Sequence, residues 1–241
     1  MIRITSLIKY IDKKFCFGFF LNTFDFFFRY KFLTLMKNNN RSITIFYNSN
    51  NNFLTQISDK NLCDKGSKNI KDLNEWGYIS HTYTEFYNLL FGNFKNNVKL
   101  IFELGISLGR SLRMWEKYFT NAHIYAGDID RSLLFQKKRI HTYYCDQLCK
   151  KSINNMWRKI KKKNFDLIID DGLHTNEANI NFFENSFKYL KPDGMFIIED
   201  IKNESLLELS KYFKKYNPQI ITLKARDTRY PDNNLILFNK I

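Results

Sequence analysis

The sequence predicts an α/β fold built on a mostly parallel sheet, and three features predict it. From Val98 onward short apolar runs alternate with segments of helical periodicity, the pattern of strand–helix–strand units. A glycine-containing turn follows the first run, as in sheets that bind a nucleotide-like ligand at their carboxyl edge. The last two runs are joined by a polar stretch of about ten residues. That is too short for a parallel crossover, so it predicts an antiparallel hairpin.

The elements follow in order. Thr84–Phe91 reads as an amphipathic helix closed by Gly92, and Asp64-Lys65-Gly66-Ser67 before it as a turn. The first strand covers about 98–103 and ends in Glu103, with a helix from about 109 to 119. Strands at 124–128, 140–144 and 165–170 follow, the last two separated by a helix around 148–160. A helix from 179 to 190 is stopped by Lys191-Pro192-Asp193-Gly194, and the fifth strand is 195–199. A helix near 204–216 leads to the closing strands at 220–223 and 235–238.

The first 52 residues read differently. Asn38–Asn40 and Asn48–Asn52 have linker composition, with a short strand-like run at 42–47 between them. We expect residues 1–52 to be an extension and linker, and residues 53–241 to form the domain. The apolar run 15–28 is too short to span a bilayer and is broken by Asn22 and Asp25. It fits an appendage, an interfacial anchor, or sequence upstream of a start at Met36. The cysteines Cys16, Cys63, Cys145 and Cys149 have neither disulfide-framework nor zinc-site spacing, which suits a reduced, cytoplasmic setting.

The formal charge of +14 leaves nucleic acid as a conceivable partner, though no nucleic-acid-binding signature accompanies it. The plainer reading is a Lys-rich surface. The run Arg158–Lys163 fits the solvated end of a helix, where cations complement the macrodipole.

The loop Glu103-Leu104-Gly105-Ile106-Ser107-Leu108-Gly109 lacks the middle glycine that lets a backbone approach a pyrophosphate. Glu103 at its entrance repels phosphate and suits a cationic ligand. S-adenosylmethionine carries a ribose, an ammonium and a sulfonium, and no phosphate. An NAD-type oxidoreductase is disfavoured for the same reasons.

Acids then recur at successive strand ends, where open α/β sheets bind ligands. Asp128, roughly 20 residues past the glycine loop, is placed to hold ribose hydroxyls, with Asp130 as a near alternative. Asp146 and Gln147 are placed beside an adenine edge. Asp170 and Asp171 with His174 follow the fourth strand, and Glu199 and Asp200 the fifth. Hard carboxylate oxygens suit Mg²⁺ or Mn²⁺, and an imidazole titrating near neutrality suits a general base. Singly, each acid is equally a solvated strand end or a helix cap.

Together these pieces resemble the class I S-adenosylmethionine-dependent methyltransferases, and within them the macrocin and mycinamicin sugar O-methyltransferases. The resemblance rests on Asp64-Lys65-Gly66-Ser67, His81-Thr82-Tyr83-Thr84, Glu103-Leu104-Gly105 with Gly109, Gly127-Asp128-Ile129-Asp130, Asp146-Gln147, Asp170-Asp171-Gly172 with His174, Leu190-Lys191-Pro192 with Gly194, and Ile198-Glu199-Asp200. It implies a Rossmann-like, seven-stranded sheet with a reversed last strand and helices on both faces. It further implies S-adenosylmethionine held by Glu103, Gly105, Asp128 and Asp146, to which the reading of the strand ends adds Gly109, Gln147 and Asp170. Mg²⁺ would sit on Asp171 and Asp200, with Glu199 added by the same reading, His174 as base, and the hydroxyl of a sugar or small polyhydroxyl compound as acceptor. Leu173 stands where relatives often carry Ser, and Asp193 where a Gly is common. The rival readings are a nucleic-acid acceptor and a non-catalytic scaffold that keeps only the fold.

Overall fold

The computed structural model describes residues 43–46, 65, 81, 83–224 and 234–240. Eight strands form one sheet: β1 (Ile43–Phe46), β2 (Leu100–Leu104), β3 (His123–Asp128), β4 (Ile140–Tyr144), β5 (Phe165–Asp170), β6 (Leu190–Ile201), β7 (Gln219–Lys224) and β8 (Asn234–Asn239). Their spatial order is β1-β7-β8-β6-β5-β2-β3-β4. β8 runs antiparallel to both β6 and β7, and every other pairing is parallel. The expected closing hairpin is therefore present. β1 pairs with β7 along Ile43–Phe46, so the sheet draws on residues before the boundary expected near 53. The apolar run 15–28 lies outside the described residues, and no described helix is long and apolar enough to cross a membrane.

Among the described residues five α-helices cover the sheet: α1 (Tyr83–Phe91), α2 (Arg110–Tyr118), α3 (Lys150–Ile160), α4 (Asn176–Ser186) and α5 (Asn203–Tyr212). Strand alternation sends successive side chains to opposite faces, so two cores form. On one face Phe86, Tyr87, Leu112 and Trp115 from α1 and α2 pack over Ile101, Ile124, Leu167, Ile169 and Ile197. On the other, Ile153, Trp157, Phe182, Phe183 and Leu209 from α3 to α5 pack over Phe102, Leu104, Ile168, Phe196 and Phe238. Phe183 lies within 5.0 Å, centroid to centroid, of Phe196, Phe213 and Phe238. Among the described residues most of the Phe, Tyr and Trp side chains are buried in these two cores. Each such ring contributes roughly 1.5–3 kcal/mol by leaving water.

One expected stop became strand. Lys191–Gly194 lies inside β6, where Asp193 takes a left-handed φ of 59° and the register against β5 shifts. The Asp193 amide donates to Lys240 O and the Lys240 amide to Gly194 O, so β8 captures the distorted segment.

The chain runs from β2 through β3 to β4 on one side and from β5 to β6 on the other. The order therefore reverses between β2 and β5, which opens a crevice at their carboxyl ends. The glycine loop and the Asp170-Asp171 pair meet there.

Candidate active site

The loop after β2 is held against its neighbours by backbone bonds. The Gly105 amide donates to Gly127 O, and the Asp171 amide to Leu104 O. Gly105 has a φ of 91° and Gly109, which caps α2, a φ of 65°. Ser107 between them sits at 46°, a region costly for a residue with a Cβ. Asp128 at the end of β3 ties this loop down. It accepts the Ile106 amide at 2.7 Å on one oxygen and the Asp130 amide at 2.9 Å on the other. Asp146 accepts the Leu148 amide at 3.0 Å. Leu108, Ile129, Leu148 and Leu173 project into solvent from loops at the same edge, each about half exposed or more. Apolar surface beside carboxylate acceptors suits a flat ring that carries hydroxyl donors.

Strand alternation separates the adjacent acids after β5. Asp170 is buried on the α3–α4 face, where Gln147 Nε2 donates to both of its oxygens at 2.8 and 3.0 Å. Gln147 Oε1 accepts the Leu173 amide at 2.7 Å. The structure therefore gives Gln147 and Asp170 to each other and to the β5 loop, whereas the sequence reading gave both to the cofactor. Burial pushes the Asp170 carboxyl up to about 7, against the opposing pull of His174 and of the bonds from Gln147 and the Gly172 amide. Asp171 points to the other face.

Asp171, His174 and Asp200 converge. His174 Nε2 lies 3.8 Å from Asp171 Oδ1 and 3.8 Å from Asp200 Oδ2. Ligand atoms of the three residues lie within 4.8 Å of one another. Two carboxylates and an imidazole at this spacing fit a small divalent cation. His174 and Asp200 both have a φ of 55°, and His174 Nδ1 is buried without a hydrogen-bond partner. Backbone strain of about 1–3 kcal/mol per residue persists where the surroundings enforce it, commonly at functional sites.

A regular strand would turn Glu199 and Asp200 to opposite faces, but β6 bulges here and both acids meet α1. Ile198 pairs with Ile236 and Ile201 with Asn234, which leaves one extra residue on β6. Asp200 turns to the cluster, where Tyr83 donates to its Oδ1 at 2.5 Å and His81 Nε2 stands 3.5 Å from its Oδ2. Burial pulls the Asp200 carboxyl up, but His81, His174 and the Tyr83 hydroxyl outweigh it and hold it below its ordinary value. Glu199 stands apart from this trio, although the sequence reading grouped it with the metal ligands. One of its oxygens accepts the Tyr87 hydroxyl and the other the Lys65 ammonium.

Lys65, within the turn-like Asp64-Lys65-Gly66-Ser67 segment of the sequence, is central to the site. It is 1% exposed, and its Nζ lies 2.6 Å from Asp171 Oδ2 and 3.4 Å from Glu103 Oε1, besides its contact to Glu199. Burial lowers its pKa, but Asp171, Glu199 and Glu103 more than compensate and hold it well above the usual lysine range. Glu103 is fully buried and also accepts the Trp115 indole N–H, so it faces Lys65 and α2. Burial lifts its carboxyl to about 7 despite Lys65. No local signal marks Lys65, Tyr83 or Tyr87, because the carboxylates that accept their hydrogen bonds lie more than 100 residues away in sequence.

At the far edge of the sheet, Arg131, Lys151, Arg158 and Lys159 line a groove of about 520 Å³ with Tyr144 and Asp146. The Arg131 guanidinium lies 3.9 Å from the Tyr144 ring centroid.

Comparison with known proteins agrees with this geometry. Residues 102–201 match a family described as a methyltransferase domain. Over 135 residues the chain is 31% identical to an 8-demethyl-8-α-L-rhamnosyl tetracenomycin-C 2'-O-methyltransferase of Streptomyces olivaceus, covering 53% of this chain and 35% of that protein. It is 32% identical to a demethylmacrocin O-methyltransferase of Streptomyces fradiae, covering 53% of this chain and 33% of that protein. The chain thus spans about a third of the length of these relatives. Among solved structures, the MycE methyltransferase of mycinamycin biosynthesis, in complex with Mg and S-adenosylhomocysteine, superposes with a TM-score of 0.58 at 23% identity. The match covers 80% of this chain and 56% of that one. Residues 102–201 accordingly match a methyltransferase domain; the sequence is similar to sugar O-methyltransferases of the macrocin and mycinamicin type, and the fold to that of the MycE methyltransferase.

Proposed function

We propose that the protein is an S-adenosylmethionine-dependent, Mg²⁺-dependent O-methyltransferase acting on a hydroxyl of a sugar or other small polyhydroxyl acceptor. The observation that carries this reading is the convergence of Asp171, His174 and Asp200 beside the glycine loop, at the point where the strand order reverses. The name of one relative, a rhamnosyl tetracenomycin-C 2'-O-methyltransferase, supports the acceptor class.

In this reading Asp128 accepts the ribose hydroxyls, Ile129 and Leu148 flank the adenine, and the loop from Gly105 to Gly109 approaches the methionine end. Asp171 and Asp200 supply carboxylate oxygens to the divalent ion. Bound there, such an ion lowers the pKa of an acceptor hydroxyl and orients it. His174 takes the hydroxyl proton on its imidazole, a contribution of roughly 10²–10⁴-fold. The acceptor oxygen then forms a bond to the methyl carbon as the sulfonium–carbon bond breaks, with the electron pair passing to sulfur. Holding donor and acceptor in line supplies much of the remaining acceleration.

The test is calorimetric titration with S-adenosylmethionine in the presence of Mg²⁺, followed by a screen of glycoside acceptors. Micromolar binding, about −8 kcal/mol, that is lost in Asp128→Ala is expected. Folded protein that binds no cofactor would overturn the reading. Binding without turnover on any acceptor would favour a scaffold. The groove of Arg131, Lys151, Arg158 and Lys159 favours a second reading, a nucleic-acid acceptor. Methylation of an oligonucleotide, with binding that falls steeply as salt rises, would establish it.

A further inference from the structure

We propose that Lys65 is an internal cation that occupies one of two cation positions in the acidic cluster, and so makes the site bind a single divalent ion on Asp171 and Asp200 while Glu199 is withheld. The proposal rests on the metal-binding part of the reading above and concerns how many ions bind and which carboxylates take part.

Four carboxylates crowd the carboxyl ends of β2, β5 and β6: Glu103, Asp171, Glu199 and Asp200. Lys65 Nζ touches the first three of them, at 3.4 Å from Glu103, 2.6 Å from Asp171 and closer still to Glu199. An ammonium buried to this extent is held only if the charges around it exceed the cost of removing it from water. Here three carboxylates surround it, and it occupies the inner half of the cluster as a metal ion would. The outer half is organised differently. Asp171 gives Oδ2 to Lys65 and turns Oδ1 towards His174, 3.8 Å away. Asp200 gives Oδ1 to Tyr83 and turns Oδ2 towards the same imidazole, also at 3.8 Å, with His81 Nε2 3.5 Å from that oxygen. Each carboxylate is pinned through one oxygen and turns the other towards the His174 imidazole.

The pins come from Lys65 and from α1, both N-terminal to the matched methyltransferase domain. Glu199 is closed on both sides, by Lys65 and by Tyr87. As long as the ammonium is present, Glu199 has no oxygen turned to the outer position. Without it, the inner acids would carry uncompensated charge, and a divalent ion is the natural replacement.

Mn²⁺ serves as the probe, with free ion followed by electron paramagnetic resonance in metal-stripped protein. The unsubstituted protein is expected to bind one ion per chain. Glu199→Gln should leave that affinity within about threefold, because Glu199 is not a ligand while Lys65 stands. Lys65→Met should bind Mn²⁺ at least about tenfold more tightly or take up a second ion, and Lys65→Met/Glu199→Gln should lose that gain. Should Lys65→Met fail to fold alone, Mn²⁺ is expected to restore its thermal transition, and the double variant, with one unpaired acid fewer, to be the more stable of the two.

A folded Lys65→Met protein with unchanged affinity and stoichiometry would overturn the proposal. So would loss of the ion in Glu199→Gln, or Lys65→Met that Mn²⁺ cannot rescue. If the unsubstituted protein binds no ion, the metal part of the functional reading fails. Lys65 then keeps its assigned place only if Lys65→Met binds Mn²⁺, and loses it if no variant does.

Discussion

Gly105 lies directly beneath the carbonyl of Asp171: a Cβ built on Gly105 would stand 1.9 Å from that oxygen. The contact joins the loop after β2 to the loop after β5, and Gly105 meets it at a φ of 91°. Gly105→Ala therefore faces both a backbone clash and a conformation that L side chains rarely adopt. The expected loss is about 3 kcal/mol or more, read as a shift in the urea midpoint. A near-neutral effect would mean that the two loops do not approach so closely.

His174 is equidistant from Asp171 and Asp200, at 3.8 Å from each. This position serves a base and a metal ligand equally well by distance, so the two roles must be separated by experiment. As the base, His174→Ala loses roughly 10²–10⁴-fold in turnover while Mn²⁺ affinity stays within about threefold. Loss of the ion in that variant would make His174 a ligand and leave the base unassigned.

How much of this site was legible in the sequence depends on the range of the contacts. The strand ends and their acids could be read because hydrophobic runs fix where a strand stops, and parallel topology places those stops at one edge. What each acid does depends on strand alternation and on partners far away. Asp170 and Asp171 are neighbours in sequence but face opposite cores, so one bonds Gln147 and the other Lys65. That Glu199 and Asp200 both meet α1 follows from a β6 bulge, which no local pattern announces. Lys65 shows the limit most plainly, since a lone lysine in a turn-like tetrapeptide reads as solvated until the fold closes three carboxylates around it. Likewise Lys191–Gly194 reads as a turn because Pro and Gly punctuate chains, yet β8 holds it in the sheet.

Tyr83 is the residue through which α1 acts on the site. Its hydroxyl donates to Asp200 Oδ1 at 2.5 Å and is itself 3.3 Å from the Asp200 amide. Tyr83→Phe removes the donor and keeps the ring. A hydrogen bond to a charged group contributes about 1.5–3 kcal/mol, so the metal-free protein should lose stability of that order. With Asp200 free to rotate, Mn²⁺ affinity should fall about tenfold. Unchanged Mn²⁺ affinity in a destabilised variant would confine Tyr83 to a structural role.

The buried acids also set how stability depends on pH. Burial raises Asp170 from 3.8 to about 7, and Glu103 from 4.5 to about 7. An acid whose folded pKa exceeds its unfolded value binds more protons in the folded state between the two. Its contribution is fully present below the unfolded value and is lost as pH rises through the folded one. For Asp170 the window therefore runs from about 4 to about 7, and the loss across it is on the order of a few kcal/mol. The comparison that isolates this term is metal-free protein against Asp170→Asn. That substitution preserves the shape and an acceptor for the Gln147 amide and carries no ionisable proton. Because the +14 charge acts on both proteins alike, their difference in urea midpoint should move in favour of Asp170→Asn from pH 4.5 to pH 8 and level off above about 7. A difference that stays flat, or runs the other way, would mean that Asp170 remains ionised in the fold. The Gln147 bonds would then outweigh its burial.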